Sequence, residues 1–243
     1  RICLEHFSPD GRHLSLTYGA LAAQSSAFAH ALVSLGVKPG DRVALLLPQC
    51  FETVIAHLAI YKMGAIALPL ALLFGAEALE YRLSNAGATV VVTNAFGLSR
   101  LAPIRARLDG LRHVVSIDPA DAPVRSFATL VEQHPDSFDI VASGPDDPAL
   151  MIYTSGTTGR AKGVLLSIRG MLWISAACWA PIGELTDKDV VLSPLPLFHS
   201  YGLNLSVLGV LAVGASEHIM ERFSPQQALD LLQTGKYSVM PGV

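Results

Sequence analysis

The feature that most restricts how this 243-residue chain can fold is a series of short apolar runs separated by stretches of helix length. Val43-Ala44-Leu45-Leu46-Leu47, Ile66-Ala67-Leu68, Thr89-Val90-Val91-Val92-Thr93 and Val114-Val115-Ser116-Ile117 show little polar alternation. Strands of that kind need cover on both faces. The stretches between them have helical character. Thr17 is placed to cap a helix running to about Leu35, closed by Gly36, with Leu21, Phe28, Leu32 and Leu35 at helical spacing. Phe51–Met63, stopped at Gly64, Glu77–Ala86 and Leu98–Leu108 read the same way. Strand and helix in alternation predict an α/β fold: a doubly wound, mostly parallel sheet with helices on both faces.

The organised part opens at Leu14–Tyr18, and residues 118–148 read as a connecting excursion around one short helix near Thr129. Further on come a helix over Gly170–Ala180, a strand over Val190–Ser193 and an apolar helix over Leu205–Val213. A last helix opens at Ser224-Pro225, with a capping serine and proline at its first position, and a strand begins at Tyr237. Trp173 and Trp179 read as core or inter-domain packing, and Lys62 as a solvated helix-end lysine. This gives a first α/β subdomain over 1–181 and the start of a second over 182–243.

Half the residues, 51%, are hydrophobic and 15% are charged, which suggests apolar surface meant to be covered by further protein. A net charge of −3 gives no electrostatic case for binding nucleic acid or anionic membrane. Cys3, Cys50 and Cys178 are odd in number and lack metal-site spacing, which suits a reducing cytoplasm and no disulfide framework. The longest uncharged apolar stretch, Met63–Ala76, is too short to span a bilayer and contains Pro69. The start at Arg1 and the stop at Val243, just after a strand-like run, suggest a portion of a longer chain.

The chemistry concentrates in Thr154-Ser155-Gly156-Thr157-Thr158-Gly159-Arg160-Ala161-Lys162-Gly163-Val164, between the apolar runs Ala149–Ile152 and Val164–Leu166. Glycines let backbone N–H groups turn toward an anion, hydroxyls add donors, and a lysine neutralises charge. Composition alone also allows a mobile Gly/Thr-rich hairpin between two buried strands, as the lesser alternative. The spacing matches neither G-x-x-x-x-G-K-[ST] nor G-x-G-x-x-G, which removes the support for a dinucleotide-binding oxidoreductase.

Thr154–Gly159 followed by Lys162-Gly163-Val164 resembles the phosphate-loop signature of the adenylate-forming superfamily, which includes acyl-CoA synthetases, peptide-synthetase adenylation domains and luciferases. Leu16-Thr17-Tyr18, Val37–Val43 and Tyr61–Ala65 are similar to the family's early segments. Two departures are visible: Ala161 stands where the family usually has proline, and Leu166–Arg169 lacks the histidine or asparagine found near Ile168 in many relatives. Pro196-Leu197-Phe198-His199 is similar to the segment lining the acyl pocket in acyl-CoA synthetases, where the histidine sits beside the reacting carboxylate. Amino-acid-activating relatives have aspartate after this phenylalanine, because a desolvated substrate ammonium needs an anionic partner. His199 therefore favours a fatty, aryl or small carboxylic acid.

The resemblance implies a two-step reaction. A carboxylate attacks the α-phosphorus of ATP to give acyl-AMP and pyrophosphate, and a thiol, usually that of coenzyme A, displaces AMP. Thr154, Ser155, Gly156, Thr157, Thr158 and Gly159 would hold the β- and γ-phosphates, with Lys162 as counter-charge and Mg²⁺ bridging phosphate oxygens. Lys162 and His199 are the implied catalytic residues. Relatives carry a Thr-Glu pair, a ribose-binding Asp, a hinge and a small domain with a catalytic lysine beyond the point matching Val243. The expectation is thus the N-terminal portion of an AMP-forming acid–thiol ligase, unable to turn over alone, whose missing C-terminal half is its necessary partner. The alternative is a catalytically inactive binding or regulatory relative.

Overall fold

A computed structural model describes residues 1–7, 11–155 and 159–242. In chain order it runs β1 (Ile2–Phe7), β2 (His13–Thr17), α1 (Tyr18–Ser34), β3 (Arg42–Leu46), α2 (Phe51–Lys62), β4 (Ile66–Pro69), α3 (Ala76–Ala86), β5 (Ala88–Thr93) and α4 (Ala95–Leu101). A 3₁₀ turn (Arg105–Arg107), β6 (His113–Ser116), β7 (Arg125–Ser126), α5 (Phe127–Glu132), β8 (Pro148–Thr154) and β9 (Lys162–Ser167) follow. The chain continues through α6 (Ile168–Ile174), a π-helical turn (Ser175–Trp179), β10 (Val190–Ser193), α7 (Ser200–Gly202), a second π-helical turn (Leu203–Gly209), α8 (Val210–Val213), β11 (Ser216–Ile219) and α9 (Pro225–Leu232).

Contacts group these elements into two compact units. One comprises 22–48 and 52–168, the other 1–21, 49–51 and 169–243. This grouping differs from the division at residues 181 and 182 read from the sequence. The N-terminal strand β1 pairs in parallel with β11, which draws the first residues into the unit built by the last ones.

The larger unit holds a seven-stranded sheet in the order β7-β6-β5-β3-β4-β8-β9. Every pairing is parallel except β8 with β9. The apolar runs form its centre: Val43, Ala44, Leu46, Val90, Val91 and Val92 are fully buried. Ala44, Leu46, Leu68 and Val91 pack with Leu79 and Leu83 of α3 and Leu101 of α4. Because successive strand residues face opposite ways, Val43, Leu45, Val90 and Val92 point to the other face. On α1, Phe28 and Leu32 are fully buried, and the Phe28 ring meets Phe127 of α5 at 4.4 Å. The strand path steps from β3 to β4 on one side and then crosses to β5 on the other. Carboxyl ends of parallel strands around such a reversal are where open α/β sheets bind ligands. Since β8 runs parallel to β4, the loop leaving β8 emerges at that end.

Three local expectations change. The helix expected over Leu98–Leu108 starts earlier and ends at Leu101. Asn94 caps it by accepting from the Gly97 N–H at 2.9 Å, and Pro103 supplies no N–H to continue it. Lys62 is half-buried rather than fully solvated: its ammonium donates to the Ala22 carbonyl and to the Ser25 and Ser26 hydroxyls, each at 2.8 Å, tying the end of α2 to α1. Trp173 is 60% exposed, whereas Trp179 stacks on Tyr201 with ring centroids 5.7 Å apart.

The smaller unit holds a four-stranded sheet in the order β10-β11-β1-β2, parallel except for β2. Leu205 and Val210 pack with Val191, Leu185 and Ala215. The strand expected from Tyr237 is reduced to a single bridge between Val191 and Val239. Glu217 of β11 is completely buried here. The Ser193 and Ser206 hydroxyls, 2.5 Å from each other, lie beside its carboxyl, yet neither meets it with hydrogen-bond geometry. Burial pushes the acid up to about 8, partly offset by those hydroxyls.

Glu217 therefore folds as a neutral acid and ionises on unfolding wherever the pH exceeds its ordinary value. The folded chain binds the extra proton, so stability is greatest below about pH 4.5 as far as this group is concerned and falls as pH rises toward 8. The slope contributed by one such proton is about 1.4 kcal/mol per pH unit at most. Urea unfolding from pH 5 to 8 should show Glu217→Gln losing much less stability over that range than the native chain. Parallel curves would show that Glu217 does not carry this proton.

Candidate functional site: a phosphate-loop hairpin and a capping histidine

The Gly/Thr-rich segment is the turn of the β8–β9 hairpin. The antiparallel register pairs Tyr153 with Gly163 and Thr154 with Lys162, so the two ends of residues 155–161 are held face to face. Ala149 and Leu150 are buried, anchoring β8 beside β4. Toward the loop β8 becomes half-buried, and β9 is an edge strand with Val164 41% and Leu165 55% exposed. The segment is thus a hairpin rooted in the sheet on one strand only, rather than a turn between two buried strands.

Its base is braced by α3. Tyr153 donates its hydroxyl to Asn85 Oδ1 at 2.6 Å, and Tyr81 donates to the Ala161 carbonyl at 3.0 Å. The two rings meet edge to face with centroids 6.2 Å apart. A Cβ at Gly163 would stand 3.2 Å from the Tyr153 ring and 2.2 Å from the mobile end of Met151, so glycine gives the Tyr153 ring its close fit against β9. The Ala161 carbonyl is fixed from outside the loop by Tyr81, which partly replaces the stiffness that proline would supply there.

Thr154, Ser155, Gly159, Arg160 and Lys162 are all exposed at the mouth of the hairpin. Gly156, Thr157 and Thr158 lie outside the described residues. The Arg160 guanidinium lies 5.4 Å from the Tyr81 ring centroid. Among the described residues the Lys162 ammonium has no hydrogen-bond or ion-pair partner. The same depression includes Glu77 and Glu80. Glu80 is taken up by a bidentate pair with Arg107, at 2.8 and 2.7 Å. That pair holds its carboxyl below the usual carboxylate range.

His199 belongs to the smaller unit and is described within it. Pro194 and Pro196 lead out of β10, and His199 caps α7, its Nδ1 accepting from the Tyr201 N–H at 3.3 Å. With Nδ1 committed as an acceptor, the neutral ring carries its proton on Nε2, and the exposed side chain can donate it to an incoming carboxylate. Gly202 is required by a close approach: a Cβ there would stand 2.5 Å from the Pro196 carbonyl oxygen. The helix that follows is not the regular one expected over Leu205–Val213. It widens into a π-helical turn over Leu203–Gly209, a geometry often found at functional sites.

Tyr81 and Asn85 were not among the residues singled out from the sequence. Tyr81 and Asn85 are four apart on α3 and so share a face, but nothing local says that this face meets a hairpin some seventy residues on.

A family model described as AMP-binding enzyme matches residues 2–243. The chain belongs to this family. The 7a-methyl-1,5-dioxo-octahydro-1H-inden-4-yl propanoyl:CoA ligase of Mycobacterium tuberculosis is 36% identical, with 93% of this chain and 44% of that protein covered. The 4-coumarate–CoA ligase of Pinus taeda is 34% identical over 86% of this chain and 39% of its own length. Among solved structures, the acyl-CoA synthetase of Brucella canis superposes with a TM-score of 0.89 at 27% identity, over 99% of this chain and 44% of that one. ATP-bound MatB from Rhodopseudomonas palustris gives 0.85 at 28% identity, over 99% and 46%. The chain thus spans less than half the length of these relatives. No helix among the described residues is long and apolar enough to cross a membrane.

Replacing Tyr153 by phenylalanine should cost about 1 kcal/mol, the net worth of one hydrogen bond, while keeping the ring over Gly163. Urea denaturation of the 243-residue chain measures it. A variant as stable as the parent would remove Asn85 as a brace of the hairpin.

Proposed function

We propose that the protein to which this chain belongs uses ATP to convert a carboxylic acid to an acyl adenylate and then passes the acyl group to the thiol of coenzyme A. The observation that carries this reading is the exposed Lys162 ammonium, unpartnered among the described residues, on a strand position paired with Thr154 at the ends of a Gly/Thr-rich loop. In the first step the substrate carboxylate oxygen bonds to the α-phosphorus as the bond to the bridging oxygen of pyrophosphate breaks. Displacement at phosphorus depends on positioning and on neutralising charge, and needs no protein nucleophile.

In this reading Thr154, Ser155, Gly156, Thr157, Thr158 and Gly159 grip the β- and γ-phosphates, and Lys162 offsets the charge gathering on departing pyrophosphate. His199 donates from Nε2 to the acid's carboxylate and orients it. Mg²⁺ bound with the triphosphate would supply further neutralisation of the phosphate charge that Lys162 offsets. The relatives named as CoA ligases support coenzyme A as the acceptor, and their remaining length is where this proposal puts the other half of the site. A fatty or aryl acid fits His199 better than an amino acid, because an imidazole supplies no anion for a substrate ammonium. The three free cysteines suit a cytoplasmic setting.

In the complete protein, Lys162→Ala should lower acid-dependent ATP–pyrophosphate exchange by about 10²-fold or more, the usual cost of removing one group that stabilises transition-state charge. Its stability should stay within about 0.5 kcal/mol, because the side chain is exposed and unpaired among the described residues. Exchange at the parent rate would remove Lys162 from the reaction. No exchange by the unaltered protein with any acid would favour an inactive relative. A panel of fatty, aryl and α-amino acids scored by pyrophosphate release should place the amino acids last, and an amino acid as the best substrate would overturn the role given to His199.

A further inference from the structure

A cavity of about 570 Å³ opens at the β7 side of the seven-stranded sheet, a volume within the range of small-molecule sites. Its walls are apolar: Leu98 and Leu101 of α4, Val114 of β6 and Val124 ahead of β7. Its rim is cationic, with Arg105 from the 3₁₀ turn, Arg112 just before β6 and Arg125 at the start of β7. Asp121 is the one acidic residue lining it among those described. The chain as a whole has more acidic than basic residues, 20 against 17, so three arginines around one apolar hollow do not follow from composition.

The arginines are poorly neutralised. Arg112 reaches the Gly36 carbonyl at 3.3 Å and Asp41 Oδ2 at 3.4 Å. The guanidinium groups of Arg105 and Arg125 have no hydrogen bond or ion pair among the described residues, although Arg105 is partly buried. His113, between the walls and the rim, is pushed below the ordinary histidine range by desolvation and then by the facing Arg125 and Arg112. Partial burial of an unpaired cation is unfavourable, and a guanidinium is shaped to take a carboxylate or phosphate through two parallel N–H donors.

We propose that this cavity binds an anionic amphiphile, its apolar body between α4 and β6 and its carboxylate or phosphate head on Arg105 and Arg125. The site is separate from the phosphate loop. β6 and β8 lie four strand spacings apart in the sheet, about 19 Å. The proposal does not depend on the acid-activating reaction.

Isothermal titration calorimetry of the 243-residue chain with decanoate, decyl phosphate and 1-decanol tests it. Saturable one-to-one binding of at least one anion is expected, with decanol much weaker, and the tighter anion tells which head the arginines take. The double variant R105Q/R125Q should bind about tenfold more weakly or worse, as befits loss of charged hydrogen bonds. R105K/R125K should retain part of the affinity. Because neither guanidinium is paired among the described residues, thermal unfolding of both variants should match the parent. Ala102→Glu, which sets an anion into the lining at an exposed position, should abolish binding without touching either arginine. Absence of binding, equal affinity for decanol, or unchanged affinity in R105Q/R125Q and Ala102→Glu would each overturn the proposal. The last result would place the ligand elsewhere.

Discussion

The ladder between β8 and β9 is the constraint on which the candidate site depends. β8 is fixed by its parallel pairing with β4 and by burial of Ala149 and Leu150. β9 then returns antiparallel, and that reversal is what turns a stretch of glycine and threonine into a closed loop at the carboxyl end of the sheet. A parallel continuation would have needed a long crossover and would have carried Lys162 away from Thr154. With the antiparallel register, backbone hydrogen bonds set lysine against threonine, and neither side chain is used up in holding the pairing together.

Support for the loop comes from α3, at modest energetic cost. Tyr81 and Tyr153 offer rings to each other and hydroxyls to Ala161 and Asn85. Each hydrogen bond is worth on the order of 1 kcal/mol, but together they define where the loop begins and ends. The Glu80–Arg107 pair occupies one carboxylate of the depression that Ser155, Gly159 and Arg160 also line. Exposed, such a pair adds little stability. Its consequence is electrostatic and local.

The smaller unit follows a different logic, because its sheet contains polar residues in its interior. Glu217, His218 and Glu5 sit on neighbouring strands and are almost wholly buried. Lys236 pairs with Glu5, and His218 Nδ1 meets the Tyr237 hydroxyl at 2.5 Å, so part of this polarity is compensated within the unit. Glu217 is compensated chiefly by remaining protonated.

The sequence by itself determined the α/β class, the central strands and most of the helices, since uninterrupted apolar runs and helical spacing are local properties that survive in any context. It also carried the phosphate-loop signature and His199, because those chemistries need particular residue types close together in the chain. Tertiary structure decided what depends on distant partners. β1 and β11 were missed because they pair across more than two hundred residues, and Glu217 and His218 make β11 look like a polar connection. Lys62 was misread because the acceptors that hold it are on α1. The braces Tyr81, Asn85 and Tyr153, and the arginines around the β7 cavity, have no common sequence pattern. Only the packing of α3 against the hairpin, and of α4 against β6, puts them within reach of one another.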